Sequence, residues 1–454
     1  MKLPNGPRTP ALVQVLQWAL RPTNFLDDCA KRFGRTFTIK LPGSKATVFV
    51  SHPEALEQIF SAPVGAFNSS EASEIFQPIV GKHSLMVLDG RQHQRQRKLL
   101  MPPFHGDRLR VYAQLIGRLT EQMMDRWQPG DEISLKSSMR DISLEVMLQA
   151  VFGITEGENL EILRHKFVEM EEMATSPIFA IHLFVRKLQK DLGTWSPWGK
   201  FVRLRKEVDR IVYAEIAERQ RNPEPGRTDI LTLMMAARDE EGQLMTDAEL
   251  RDEMMTLLLT GQDTIAVGLT WALYWIHRLP RVQQRLVEEL STLSDRADMT
   301  AITQLPYLSA VCQETLRYYP VIMASLPRLV KTPFKVLGYE FPVGTQIFPD
   351  IYSAHQNEEI YPEPKEFRPE RFLERQYSSF EYCPFGGGNR RCVGFAFAPF
   401  QMKLVLAAVL SRYQLALADP RPIQPVRHGP GLAPSRDVKL RVVAPVAPIE
   451  QQRV

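Results

Sequence analysis

The sequence predicts a mainly α-helical fold with a small β-rich region. Two textures of chain carry that expectation. From His52 to about Arg317, apolar residues recur at helical spacing, most clearly over Phe201–Gln220 and Thr246–Arg278. From Val321 to Pro384 the chain is broken by prolines (Pro320, Pro327, Pro333, Pro342, Pro349, Pro362, Pro364, Pro369 and Pro384), so only short strands and irregular segments fit there.

Taken along the chain, Thr36–Leu41 and Ala46–Val50 read as two short strands, with Pro42-Gly43-Ser44 as the turn between them. Asn222–Gly226, with two prolines and a glycine, is a loop after the first long helical pattern. Within the second pattern, Met254–Ile276 is long enough to cross a bilayer, but it carries Gln262 and Asp263 near its middle. A central aspartate costs about 2.5–3.5 kcal/mol on insertion, so a buried helix of a soluble protein is expected. A last helix, Phe395–Leu410, follows Cys392, with a kink expected at Pro399. No repeat, low-complexity segment or separating linker interrupts the chain. Residues 1–454 therefore read as one domain, β-rich at about 36–50 and 321–384 and helical elsewhere.

Composition narrows the function. With 44% hydrophobic and 24% charged residues the 454-residue chain can bury a large core. A formal charge of +4, from 56 basic and 52 acidic residues, gives no reason to expect nucleic acid as a partner. The four cysteines, Cys29, Cys312, Cys383 and Cys392, lack zinc-site spacing, and they are too few for a disulfide scaffold. The N-terminal segment lacks a secretory signal. A cytoplasmic monomer with no transmembrane anchor is expected.

The densest chemistry lies in Phe385-Gly386-Gly387-Gly388-Asn389-Arg390-Arg391-Cys392-Val393-Gly394. Successive glycines relax the backbone and let it approach a flat ligand. Backbone N–H groups at the start of the following helix, with Arg390 and Arg391, would favour a thiolate. The plain alternative is a glycine-rich turn with an incidental cysteine. Three other patterns stand at a distance. Glu314 and Arg317 are three apart and can pair on one helix face, and Pro369-Glu370-Arg371-Phe372 lies downstream. Thr260-Gly261-Gln262-Asp263-Thr264 sets a polar step inside an apolar helix. In the basic run, Arg91, Arg95 and Lys98 share one helical stripe while His93 and Arg97 share nearly the opposite one.

These motifs, in this order, resemble the cytochrome P450 superfamily, and the likeness runs from Pro4-Asn5-Gly6-Pro7 to the last helix. The resemblance implies that Cys392 is the axial thiolate of haem b (iron protoporphyrin IX), with Phe385 against the sulfur and Gly394 in the same loop. It implies haem-propionate contacts from His93, Arg97, Arg328 and Arg390. Asp263 and Thr264 would relay protons at the oxygen site, and Glu314, Arg317 and Arg371 would form a buried network beneath the cysteine loop. Thr260 stands where alanine is frequent in the family, and Gln401 where an acid is frequent. The pocket walls implied are apolar: Leu85, Met86 and Val87, then Val321, Ile322, Met323 and Ala324, with Met86, Thr260, Met323 and Ala324 as substrate contacts.

The activity implied is insertion of one oxygen atom of O2 into a C–H bond of an apolar substrate, a fatty acid, terpenoid or similar molecule; overall likeness leans towards bacterial fatty-acid or alkane hydroxylases. Electrons would come from a ferredoxin or flavodoxin with its reductase, the stripe Arg91, Arg95 and Lys98 receiving that acidic partner. A peroxygenase using H2O2 and a haem-thiolate sensor are the alternatives.

Overall fold

The computed structural model describes residues 3–41, 46–106, 108–154, 157–176, 179, 182–183, 185–293 and 299–446. Helix makes up 56% of it and strand 12%, so the mainly α expectation holds. The strands near the start are Thr36–Ile39 and Ala46–Val50; the turn at Pro42-Gly43-Ser44 lies outside the described residues. The two long helical patterns are the helices Pro197–Arg221 and Asp247–Arg278. Among the described residues no helix is long and apolar enough to cross a membrane.

The chain packs as two compact units. One comprises Met1–Phe67, Gly106–Ser143 and Asp263–Val454. In it the strands Thr36–Ile39, Ala46–Val50, Thr345–Pro349 and Arg328–Val330 lie side by side. Thr36 pairs with Val50 antiparallel, Ala46 with Thr345 parallel, and Arg328 with Ile347 antiparallel. Their β-branched and aromatic residues suit a pleated, half-buried surface. Phe49 stacks between Phe37 and Phe348, at 5.6 and 5.2 Å. That sandwich closes a core cluster with Phe25, Leu26, Cys29, Met323 and Tyr352. The helix Phe397–Arg412 packs on Arg108–Met124, with Tyr112 edge-on to Phe397 at 5.7 Å. A hairpin, Pro425–His428 with Gly431–Pro434, follows near the C-terminus.

Two expectations about that last helix are corrected. It starts at Phe397, so Pro399 falls in its first turn, where the missing N–H has no helical acceptor to lose and no kink is needed. Cys392 precedes the helix by the turn residues 393–396 instead of standing at its first turn.

The other unit comprises Asn68–His105 and Leu144–Gln262. Its helices include Gly90–Leu100, Glu158–Thr175 and Pro197–Arg221. Polar caps mark two helix starts: the Ser196 hydroxyl accepts from Gly199 N–H at 3.0 Å before Pro197–Arg221, and Asp229 accepts from Thr232 N–H at 2.9 Å before a short helix, Ile230–Ala236. Segment 81–87 is stapled to the long helix, His83 N–H donating to Asp252 and Leu85 N–H to Glu253, both at 2.8 Å. Thr256 adds a hydroxyl bond to Ser84 at 2.7 Å.

Candidate active site

Glycine builds the cysteine loop for two separable reasons. Gly386 and Gly388 adopt φ of 66° and 65°, which side-chain-bearing residues avoid. Gly387 and Gly388 lie against Phe60, where a Cβ would come within 2.2 Å of the ring and 2.0 Å of the carbonyl oxygen. The close approach these two glycines permit is therefore to the protein's own Phe60, which corrects the expectation of a ligand pressed on all three. Gly394 differs: a Cβ there would meet only the Cys392 Sγ, at 3.9 Å. The loop closes on itself, with Cys392 N–H donating to the Phe385 carbonyl at 3.0 Å and Gly386 N–H to the Cys383 carbonyl at 2.9 Å.

Cys392 is exposed, whereas Cys29, Cys312 and Cys383 are buried. Burial pushes each of those three thiols up to about 12, so they remain protonated. Arg391 stacks on Phe395 at 3.7 Å and interacts electrostatically with Cys392. An exposed thiol flanked by cations is the donor that a soft metal centre needs. A cavity of about 430 Å3 opens near the loop, lined by Phe385, Arg391, Phe395, Lys403, Cys312 and Cys383. Cys392 and Gly394 do not line it, so it belongs to the back of the loop and not to the sulfur's side.

Beneath the loop lies a dry ionic network. Glu314 receives Arg317 through two bonds, at 2.6 and 2.8 Å, and Arg371 at 3.2 Å, with all three side chains at most 1% exposed. Arg368 N–H adds a bond to Glu314 at 2.8 Å. Arg317 also donates to the His355 carbonyl at 2.8 Å, and His355 Nε2 accepts the Cys383 N–H at 3.0 Å. Glu314 is thereby tied through Arg317 and His355 to the segment that leads into the cysteine loop. Sequence reading missed His355, because only its position in space marks it. Burial, reinforced by Arg317, lowers its pKa to about 3, so it accepts that bond as a neutral ring.

The long helix is buried from Arg251 to Leu258 and again from Ile265 to Tyr274. Between them Thr260 is exposed and Gly261, Asp263 and Thr264 are half-buried, while Gln262 is buried and bonds to Glu171 at 2.6 Å. The polar step is therefore less buried than the helix on either side of it, although Gly261 packs so closely on Met147 that a Cβ there would come within 2.6 Å. The Thr260 hydroxyl donates to the Thr256 carbonyl at 2.7 Å, so the polar group expected near a substrate is turned onto its own helix. Asp263 Oδ2 lies 3.2 Å from His428 Nε2, a partner no sequence motif announces.

On the helix Gly90–Leu100, His93 is 2% exposed and Arg97 half-buried, as the inner stripe requires. The outer stripe is corrected. Arg95 is bound by Asp239 at 2.5 Å and Glu249 at 2.7 Å, and Lys98 pairs with Glu240, so this face is largely neutralised by its own acids. Arg328 is 3% exposed and donates to the Leu326 carbonyl at 2.8 Å; Arg390 is half-buried in the turn Gly388–Arg390. Met323 is corrected too: its side chain lies in the core cluster with Phe25 and Leu26, and the segment leaves Val321, Ile322 and Ala324 half-buried instead. Met86 is half-buried between the buried Leu85 and Val87.

Comparison with known proteins gives the family and the fold. Residues 4–440 match the family model described as Cytochrome P450. The chain is 33% identical over 450 residues to "Putative cytochrome P450 135B1" of Mycobacterium tuberculosis, covering 98% of this chain and 92% of that one. It is 31% identical over 420 residues to the 135A1 protein of the same organism, covering 92% and 90%. Two solved structures share the fold. The retinoic acid-bound cyanobacterial CYP120A1 aligns with a TM-score of 0.82 at 23% identity, covering 98% of this chain and all of that one. The cytochrome P450DA heme domain aligns at 0.86 and 20% identity, covering 99% and 98%.

Proposed function

Because the chain belongs to the cytochrome P450 family and is a haem monooxygenase of it, we propose that Cys392 is the thiolate that holds haem b and that Asp263 and Thr264 carry protons to the oxygen site. The observation that carries this reading is the exposure of Cys392 on a loop tied down from behind, while the other three thiols are buried and protonated. Haem held through a thiolate supplies the reductive activation of dioxygen and the transfer of one oxygen atom into a C–H bond. The protein's part is to hold and to supply.

Gly394 lies beside the sulfur, where a Cβ would meet only Cys392 Sγ, and Phe385, whose carbonyl accepts the Cys392 N–H, is the residue assigned to pack on that sulfur. Arg328 and Arg390, with His93 and Arg97, are the cations assigned to the propionates. Asp263 takes protons from the solvent side and Thr264 hands them on, which is general acid catalysis at the oxygen site.

The substrate is proposed to be apolar, a fatty acid, terpenoid or similar molecule. Half-buried Val321, Ile322 and Ala324 support that class, and the cyanobacterial neighbour is named for a bound retinoic acid. Electrons are proposed to come from a ferredoxin or flavodoxin with its reductase, as the family likeness implies. A cytoplasmic location and a monomeric state complete the proposal.

The test is the absorption spectrum of the reduced, carbon monoxide-treated protein. A red-shifted thiolate band is expected in the wild type and in Cys383→Ser, and it is expected to be lost in Cys392→Ser. A Cys392→Ser protein that keeps the band would remove the assignment. Thr264→Ala is expected to divert electrons from product to peroxide under reductase-driven turnover. Equal coupling in that variant would favour direct use of H2O2.

A further inference from the structure

We propose that His428 is the outer proton station of the relay, a positioning and proton-supplying residue that acts through Asp263. The proposal rests on the assignment of Asp263 and Thr264 made above and extends it to a residue that neither the motifs nor the family likeness single out.

Three observations carry it. His428 Nε2 lies 3.2 Å from Asp263 Oδ2, and the two side chains are 32% and 28% exposed, so solvent reaches both partners. A contact this open to solvent adds little to stability. The hairpin that carries His428 is held in place by other contacts. Leu432 N–H donates to the Val321 carbonyl at 3.0 Å, Gly431 bridges Ile322, and a Cβ on Gly431 would come within 1.9 Å of the Val321 carbonyl oxygen. Trp271 Nε1 donates to the Leu432 carbonyl at 3.3 Å, and Arg427 lies over Trp18 at 4.2 Å. The contact between His428 and Asp263 is not needed to fasten the hairpin, so its consequence is chemical. It puts an imidazole, which can take up a proton at one ring nitrogen while releasing one from the other, against the carboxylate of the relay.

The step balances in protons alone. Solvent hydronium gives a proton to His428 Nδ1 and is left as water, and His428 Nε2 releases one to Asp263 Oδ2. Asp263 then passes that proton on through Thr264, and the ring returns to its first tautomer by exchange with solvent. No electrons move, and solvent supplies every proton.

The test uses the holoenzyme with a ferredoxin, its reductase and NADH, with dodecanoic acid as the probe. His428→Phe is expected to slow NADH consumption about tenfold and to change its solvent isotope effect. His428→Gln keeps an N–H donor but cannot exchange protons, and it is expected to be impaired to the same degree. Nitrogen-15 NMR of the ferrous carbon monoxide form gives a readout that needs no turnover: the His428 Nε2 signal, identified by its absence in His428→Phe, is expected to move in Asp263→Asn. Full restoration by His428→Gln would overturn the proposal, as would a wild-type rate in His428→Phe alongside a slowed Asp263→Asn, or an unmoved Nε2 signal. A wild-type rate in Asp263→Asn would remove the relay assignment itself, and this proposal with it.

Discussion

At Glu314 one carboxylate balances two guanidiniums where no water can screen them, so each partner depends on the others. Removing one leaves a charge both buried and unpaired, at a cost of about 3–5 kcal/mol. Glu314→Ala is therefore expected to lose haem incorporation together with folded yield, read from the ratio of Soret to protein absorbance. Buried histidines add a pH dependence. Burial lowers His355 to about 3 and His277 to about 4. Between about pH 6.5 and 5 the unfolded chain binds a proton at each site that the folded chain refuses, so stability falls with acid by about 1.4 kcal/mol per pH unit for each. Burial pushes the Asp350 carboxyl up to about 7, which acts in the opposite sense, its contribution being lost as pH rises. Comparison with a variant isolates one group: His277→Leu is expected to flatten the acid-side slope by about one proton, measured by urea unfolding at several pH values.

At the scale of the element, the cysteine loop separates two uses of glycine. Gly388 needs both its φ of 65° and the space against the Phe60 backbone, where a Cβ would sit 2.0 Å from the carbonyl oxygen. Gly386 needs only its φ of 66°, since the nearest atom to its Cβ is the movable Ser325 hydroxyl at 3.4 Å. A left-handed residue bearing a side chain costs about 1–2 kcal/mol, and an immovable backbone clash adds to that. Gly388→Ala is expected to lower the thermal midpoint well beyond Gly386→Ala, as calorimetry of both variants will read. The basic helix teaches the converse. Periodicity assigned its inner stripe, buried His93 and half-buried Arg97, but its outer stripe looked available only until Asp239, Glu240 and Glu249 came into view.

For the whole molecule, a cofactor held through Cys392 would bind the folded chain and not the unfolded one. A ligand that binds only the folded state stabilises it by about 4 kcal/mol at a thousandfold excess over its Kd. Protein expressed without haem is expected to melt several degrees below the holoprotein, and added hemin to restore the midpoint. In Cys392→Ser that restoration is expected to be incomplete.

Local chemistry was legible from the chain alone. The helices, the proline-broken region, the cysteine loop, the Glu314-Arg317 spacing and the Asp263-Thr264 step all lie in short windows, where periodicity, turn residues and neighbour spacing act directly. Their order along the chain was enough to identify the family. What only the tertiary structure decided involves residues far apart in sequence: His355 joining Arg317 to Cys383, His428 meeting Asp263, Met323 entering the core, and the outer basic stripe finding its acids. Each of these depends on which surfaces the fold brings together. Burial then sets the charge state, the bonding partners and the reach of each side chain, and a linear sequence carries no local record of that.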